Sequence, residues 1–208
     1  MVYLTGDTHG ELDRFKHGRL RWLGKRDIVV VLGDFGFVWD GSKEEQKKLD
    51  WLRKRPYTLL FLDGAHENYD LLAQYPVEER FGGRVQALGG NVYHICRGSV
   101  LELEGKKYLF AHAMTSHPDV REEDRYYMRG TMDIDCFFFE GIDGYISMCG
   151  HTPTDSIVWK KDRRYLDEPG NSIWCNDRHN VYLLDCGCGF AGGRLACLCL
   201  ETKERFYA

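Results

Sequence analysis

Five short stretches offer carboxylates and imidazoles at positions where both can hold a cation. In GDTHG, residues 6 to 10, Asp7 stands two residues before His9, and the flanking glycines let the backbone bend close to an ion. Asp34 follows in LGDFG, His66 in LFLDGAHENYD, His112 in YLFAHAM and His151 in MCGHTPT. Mixed carboxylate and imidazole ligation suits manganese, iron, zinc or similar ions, and the lack of cysteine at these positions argues against a structural thiolate zinc site. Two ions about 3.5 to 4 Å apart under a bridging carboxylate would clamp a phosphoryl group and generate hydroxide near neutral pH, which is a hydrolase's arrangement.

Each residue alone has a plainer reading. Asp7 or Asp34 is most often a cap, His112 within an apolar run a satisfied core histidine, and GHTP a turn. The set outweighs its members, because these donors all fall at the ends of apolar runs. His94, His117 and His179 have no partner motif, and His17 lies in the first helical stretch and reads as exposed.

The elements that must position these donors are readable too. Three runs, VYLTGD (2 to 7), IVVVLGD (28 to 34) and TLLFLDG (58 to 64), each end in Gly-Asp or Asp-Gly. Between them Leu12, Phe15, Trp22 and Leu23 keep a helical spacing, and SKEEQKKLDWLRKRP opens with Ser42 and Glu45 in capping-box spacing and stops at Pro56. Alternating strands and helices predict parallel β-α-β units, with ligands outside the carboxyl ends of the strands, where Asp7, His9, Asp34 and His66 fall. SVLELEG and KKYLFAHA flank Gly105 as a hairpin, and YISMCGH, VYLLDCG and RLACLCLE follow; this half is predicted to form a second sheet packed on the first. Ser116 to Gly144 reads as a long, partly helical excursion near the site, and Lys160 to His179 as a polar stretch without period.

The whole-chain numbers fit one domain over residues 1 to 208 with one substantial core. At 43% hydrophobic and 29% charged residues the chain is globular rather than disordered, and its net charge of −4 gives no general pull toward nucleic acid or anionic lipid. No apolar run approaches the roughly 20 residues that span a bilayer, and MVYLTGD lacks the layout of a secretion signal, so a cytoplasmic location is expected. Eight cysteines sit partly at alternate positions in apolar runs; Cys186 with Cys188 and Cys197 with Cys199 read as pairs of small core residues on one face rather than as zinc ligands or disulfides.

With those residues in hand, the chain resembles the calcineurin-like metallophosphoesterases, in the phosphoprotein phosphatase-like branch that includes small bacterial and phage phosphatases. GDTHG is similar to that family's first motif, GDFG to a shortened second, GAHE to its Gly-Asn-His-Glu, FAHAM to its fourth and GHTP to its fifth. The tail LLDCGCGFAGGRLACLCLE is similar to the ending of the bacterial members, so the resemblance spans nearly the whole chain. It implies an α/β fold of two mixed sheets packed face to face and flanked by helices, a four-layer αββα arrangement. It also implies a dinuclear metal-dependent phosphoesterase acting on phosphoproteins, nucleotides or other phosphate esters, with metal-bound hydroxide as the nucleophile. Manganese would be the metal, with iron or zinc as alternatives. Asp7, His9 and Asp34 would hold the first ion, Asp34, His112 and His151 the second, and His66 would protonate the leaving oxygen. Glu67 would serve local structure, and Asp63 would cap the core edge rather than orient His66.

Two departures from the family pattern stand out. Ala65 occupies the position of the asparagine whose carbonyl oxygen ligates the second ion, and a methyl group coordinates nothing. The chain then reads as an inactivated form of an active enzyme, as a natural site in which water or another group fills the gap, or as a catalytically weak metallophosphoesterase-fold binding module. The second motif also lacks the aspartate and arginine that grip a phosphate dianion, offering Phe35, Phe37, Val38 and Trp39 instead. Phe35, Phe37 and Trp39 could stack on a nucleobase, which would favour nucleotide or cyclic phosphodiester substrates, or pack in the core. Arg80, Arg84, Arg97 and Arg121 are candidate replacements for the missing cation and otherwise surface charges.

Overall fold

Apolar runs too continuous to leave one face in water build the centre of the first sheet. The computed structural model describes residues 1–16, 18–103, 105–113, 140–156, 159–160, 163–164 and 171–208. In chain order it runs β1 (Val2–Thr5), α1 (Leu12–Lys16), β2 (Ile28–Val31), α2 (Lys43–Arg53), β3 (Thr58–Phe61), α3 (Tyr69–Leu72), β4 (Val77–Arg80), β5 (Gly83–Gly89) and β6 (Val92–Ile95). It continues with β7 (Val100–Leu103), β8 (Lys106–Ala111), β9 (Ile146–Cys149), β10 (Trp159–Lys160), β11 (Arg163–Arg164), β12 (Trp174–Cys175), β13 (Val181–Leu183), β14 (Ala196–Cys199) and β15 (Arg205–Tyr207). The predicted excursion from Ser116 to Gly144 lies mostly outside the described residues, as do His17, His117, Arg121 and much of the polar stretch from Lys160 to His179.

One sheet has the order β15-β14-β1-β2-β3-β6-β5-β4, and the other β12-β13-β9-β8-β7. The pairs β1·β2, β2·β3 and β3·β6 are parallel in the first, as are β8·β9 and β9·β13 in the second. The hairpin of β7 and β8 around Gly105 forms as its sequence predicts, with Leu103 opposite Lys106.

Strand alternation divides the core into two layers. Leu4, Val30, Leu60, Phe110, Met148 and Tyr182 fill the space between the sheets. Tyr3, Val29, Val31, Leu59 and Phe61 point the other way, onto Phe15 of α1, Leu49 and Leu52 of α2 and Leu72 of α3. A Leu→Ala change at such fully buried positions costs about 2–5 kcal/mol. The helices named here all cover the outer face of the first sheet. Helix α2 starts where the sequence predicts: Ser42 accepts from the Glu45 N–H at 3.1 Å, and the Glu45 carboxylate reaches back to the Gly41 N–H at 2.8 Å.

Two expectations are corrected. RLACLCLE joins the first sheet, not the second: β14 runs antiparallel beside β1, with Tyr3 opposite Cys199 and Leu4 opposite Leu198. Ala196 and Leu198 face the inter-sheet layer while Cys197 and Cys199 face the helices, so the strand is buried on both sides as an inner strand must be. Cys186 and Cys188 do not share a face either. Gly187 turns the chain at φ 76°, which sends Cys186 into the inter-sheet layer and Cys188 toward the helices.

Candidate metal centre

Both sheets deliver the carboxyl ends of their parallel strands to one edge. The residues after β1, β2 and β3 are Asp7, Asp34 and His66, and those after β8, β9 and β13 are His112, His151 and Asp185. Glycines let the two sheets close on each other there. A Cβ on Gly33, whose φ is 102°, would lie 2.0 Å from His112 Nδ1, and one on Gly150 would lie 2.4 Å from Asp7 Oδ1 and 2.7 Å from the Leu32 carbonyl oxygen.

Among the described residues two groups of donor atoms lie close enough to hold an ion: Asp7, Asp34 and His112, and His9, Asp34 and His66. Asp34 belongs to both. Its Oδ1 is 3.6 Å from His112 Nε2, and its Oδ2 is 3.9 Å from His66 Nε2. His9 Nε2 lies 3.9 Å from Asp7 Oδ2. His151 joins neither group directly, but its main-chain N–H donates to Asp7 Oδ1 at 2.9 Å and its ring stands 4.8 Å from that of His112. His112 thus keeps company with Asp7 as well as Asp34, and His66 sits with His9 and Asp34.

The protonation chemistry fits cation binding. His112 Nδ1 lies 3.1 Å from the Leu32 carbonyl, which can only accept, so Nδ1 carries the proton and Nε2 keeps its lone pair. That Nε2 is buried and makes no hydrogen bond. Burial pushes the His112 pKa down to about 4, against the pull of Asp34, and burial likewise lowers His9 and His151. Neutral rings at neutral pH are what ligation requires. Asp7, Asp34 and Asp185 are all buried, at 3%, 5% and 2% exposure. Burial, then Asp185 and Asp34, holds the Asp7 carboxyl well above the usual range, and burial raises Asp185 to about 6. Divalent cations would offset this crowding of negative charge.

Backbone strain marks the same place. His9, Asp34 and His151 are three of the six non-glycine residues with positive φ among those described, at 46°, 42° and 65°. Such conformations cost about 1–3 kcal/mol each and cluster where function requires them.

Around this centre the sequence reading fares unevenly. Asp185, which donates no role in any motif quoted above, accepts from the Gly187 N–H at 2.8 Å and presses its charge on Asp7. Its signal was present, since it ends the apolar run VYLL as Asp34 ends IVVVLG. Glu67 ties two loops together, accepting from the Gly36 N–H at 2.7 Å and the Gly64 N–H at 2.6 Å; burial raises its pKa to about 8. Phe35 and Phe37 are fully buried and belong to the core, whereas Trp39 is 53% exposed beside His66. Arg97 is no free surface charge: it pairs with buried Asp63 at 2.5 Å, and His94 Nε2 lies 2.9 Å from the other Asp63 oxygen.

Two measurable consequences arise here. Gly33→Ala should weaken divalent-ion binding by at least about tenfold by displacing His112. Gly105→Ala, at φ 72° with nothing within 4 Å of its Cβ, should leave binding unchanged; calorimetric titration with manganese compares the two. Burial alone would push the Asp63 carboxyl up, but the His94 hydrogen bond and charge and the Arg97 guanidinium outweigh it and leave the pKa below its ordinary value. The stability this contributes is therefore present above the unfolded carboxylate pKa and lost as pH falls through the folded one. Asp63→Asn should cost about 3 kcal/mol at neutral pH, and the difference between the two proteins should shrink as urea melts are taken to acid pH.

The sequence profile of the calcineurin-like phosphoesterases matches residues 1–186. No curated relative matches the chain. Among solved structures, an archaeal phosphodiesterase is similar over 100% of this chain and 98% of its own, at 14% identity and a TM-score of 0.49. A protein of unknown function from Aquifex aeolicus is similar over 91% of this chain and 85% of its own, at 14% identity and a TM-score of 0.36. With the profile spanning the strands, the glycines and the buried donors described above, the chain belongs to the calcineurin-like phosphoesterase family.

Proposed function

We propose that the chain hydrolyses phosphate esters at a paired-cation centre, with manganese as the metal. The observation that supports this best is the membership of Asp34 in both donor groups, together with the orphaned, lone-pair-bearing Nε2 of His112. Asp7, His9, Asp34 and His112 would hold the ions, with His151 completing the second set from beside His112. When bound, the two ions would supply charge neutralisation for the phosphoryl group and a nucleophile at neutral pH.

The chain's own residues do the rest. Water adds to phosphorus as one P–O ester bond breaks, the departing oxygen takes its proton from His66, whose half-exposed ring faces the open side of the centre, and the proton that water gives up passes to solvent, from which His66 is reprotonated. The glycines at 33 and 150 hold His112 and Asp7 in register, and Glu67 fixes the loop that presents His66. Among the described residues no arginine takes the place of the missing dianion fork. Arg80 donates to the Tyr93 hydroxyl at 2.7 Å, Arg97 is held by Asp63, and Arg84 lies exposed on the β4–β5 hairpin. The described residues therefore fit a singly charged diester better than a monoester dianion, Arg121 lying outside them. Chromogenic mono- and diesters assayed in manganese test this: faster turnover of the diester is expected. No hydrolysis of either ester by this chain or its Ala65→Asn form, in manganese, iron or zinc, would overturn the reading.

A further inference from the structure

Two exposed aromatic side chains stand at the ends of a chain of ring contacts through the candidate centre. The Trp39 ring is 6.1 Å from that of His66, His66 is 4.7 Å from His9, and His9 is 5.7 Å from Phe190. Trp39 is 53% exposed and Phe190 63%. Single exposed apolar residues are ordinary, and Trp22, at 78% exposure and flanked by Arg21, is one. Trp39 and Phe190 differ from it because each touches one ring of the histidine pair, Trp39 that of His66 and Phe190 that of His9, and each also lines a recess.

The first recess, of about 340 Å³, is lined by Trp39 with His9, His66, Ser42, Asp40, Glu44 and Lys48. The main chain of Trp39 is fixed from two directions: its N–H donates to Glu45 Oε1, and its carbonyl accepts from Asn68 Nδ2 at 3.0 Å. The second recess, of about 370 Å³, is lined by Phe190 with Pro153 and Asn171. Phe190 sits in a tight turn, donating to the Gly187 carbonyl and accepting from the Gly193 N–H, each at 3.0 Å. Gly189 brings that turn against His9, where a Cβ would lie 3.1 Å from the imidazole. The main chain that carries each ring is thus held in place before any ligand arrives, so no backbone ordering is needed for stacking.

Charge narrows the occupant. Asp40 and Glu44 outnumber Lys48 in the first recess, and Asp155 lines the second, which disfavours a phosphate chain in either and suits a neutral ring with N–H groups on its edge. Resting on the phosphoesterase reading, we propose that the substrate is a phosphodiester of dinucleotide size, with one nucleobase against Trp39, the other against Phe190, and the phosphorus between them at the His9–His66 pair.

Calorimetry on the full manganese-loaded chain tests this with a hydrolysis-resistant phosphorothioate dinucleotide, the methyl ester of a mononucleotide, and dimethyl phosphate. The dinucleotide should bind tightest and dimethyl phosphate weakest. Trp39→Ala and Phe190→Ala should each weaken the dinucleotide by about 5- to 100-fold, the range of one lost base stack, with the mononucleotide ester responding to only one of them. Trp39→Phe should restore most of the affinity, and Trp22→Ala should change nothing. Equal affinity of the dinucleotide and dimethyl phosphate, or alanine variants that bind the dinucleotide like the parent, would overturn the proposal while leaving ester hydrolysis intact. Base-dependent binding without hydrolysis of any ester would instead overturn the phosphoesterase reading, and the substrate claim with it.

Discussion

Asp34→Asn should lower phosphate-ester hydrolysis by about 10³-fold, the largest single-residue loss expected in this chain. The amide keeps the shape of the side chain and can still accept from the main-chain N–H of His66, which donates to Asp34 Oδ1 at 2.9 Å, so the loop should stay in place. What disappears is a negative charge common to both donor groups. Loss of the charge stabilisation that a correctly held ion supplies, several kcal/mol, corresponds to three or more decades in rate. Steady-state assays on a chromogenic diester measure the fall, and circular dichroism melts check that the fold survives. A variant that melts normally and turns over at the parent rate would remove Asp34 from the centre and leave it a structural cap.

The second large effect runs the other way. Ala65→Asn should raise the diester rate by at least about tenfold, the low end of what restoring a group that supports a metal site delivers. Ala65 is exposed, directly between Gly64 and His66, and its methyl reaches no donor. An asparagine there adds a carbonyl oxygen one residue before His66, whose ring belongs to the His9–Asp34 donor group. The gain should appear at saturating manganese as well as at limiting metal if the amide also orients the ion. An unchanged rate with full metal occupancy would mean that His66 already holds the ion in the amide's stead, and its place in the His9–Asp34 group makes that alternative concrete.

Metal dependence should carry the sign of the buried carboxylates. Asp7 is held well above its usual pKa and Asp185 stands at about 6, so ligation has to displace protons and affinity should climb as pH rises from 5 to 7. Manganese titrations at a series of pH values measure the slope; an affinity independent of pH in that range would place the bound ion away from Asp7.

Much of this was legible because it is local. Strand ends announced themselves where IVVVLGD and its companions pass from β-branched residues to Gly-Asp, and period-two alternation placed Cys197 and Cys199 on one face. The donors at those ends were visible for the same reason. What depends on distant pairing was not. Nothing in LACLCLE states that it lies beside β1 rather than β13, since strands buried on both faces read alike wherever they sit. The partition of donors into Asp7–Asp34–His112 and His9–Asp34–His66 arises from how two sheets meet, and Gly33 and Gly150 look like ordinary turn residues until the opposite sheet is in view. Asp185 was hidden by the cysteines around it, which drew attention to DCGC as a thiol pattern. Arg97 read as a surface charge because its partner, Asp63, is 34 residues away in sequence.

The most direct measurement counts ions: manganese bound per chain at neutral pH, by equilibrium titration, for the parent and Asp34→Asn, each also carrying Ala65→Asn. The expected result is two ions per chain with asparagine at 65 and the joint loss or strong weakening of both when Asp34 is replaced. Two ions bound with unchanged affinity in the Asp34→Asn protein, or no ion bound in any form, would contradict a centre built on a shared carboxylate.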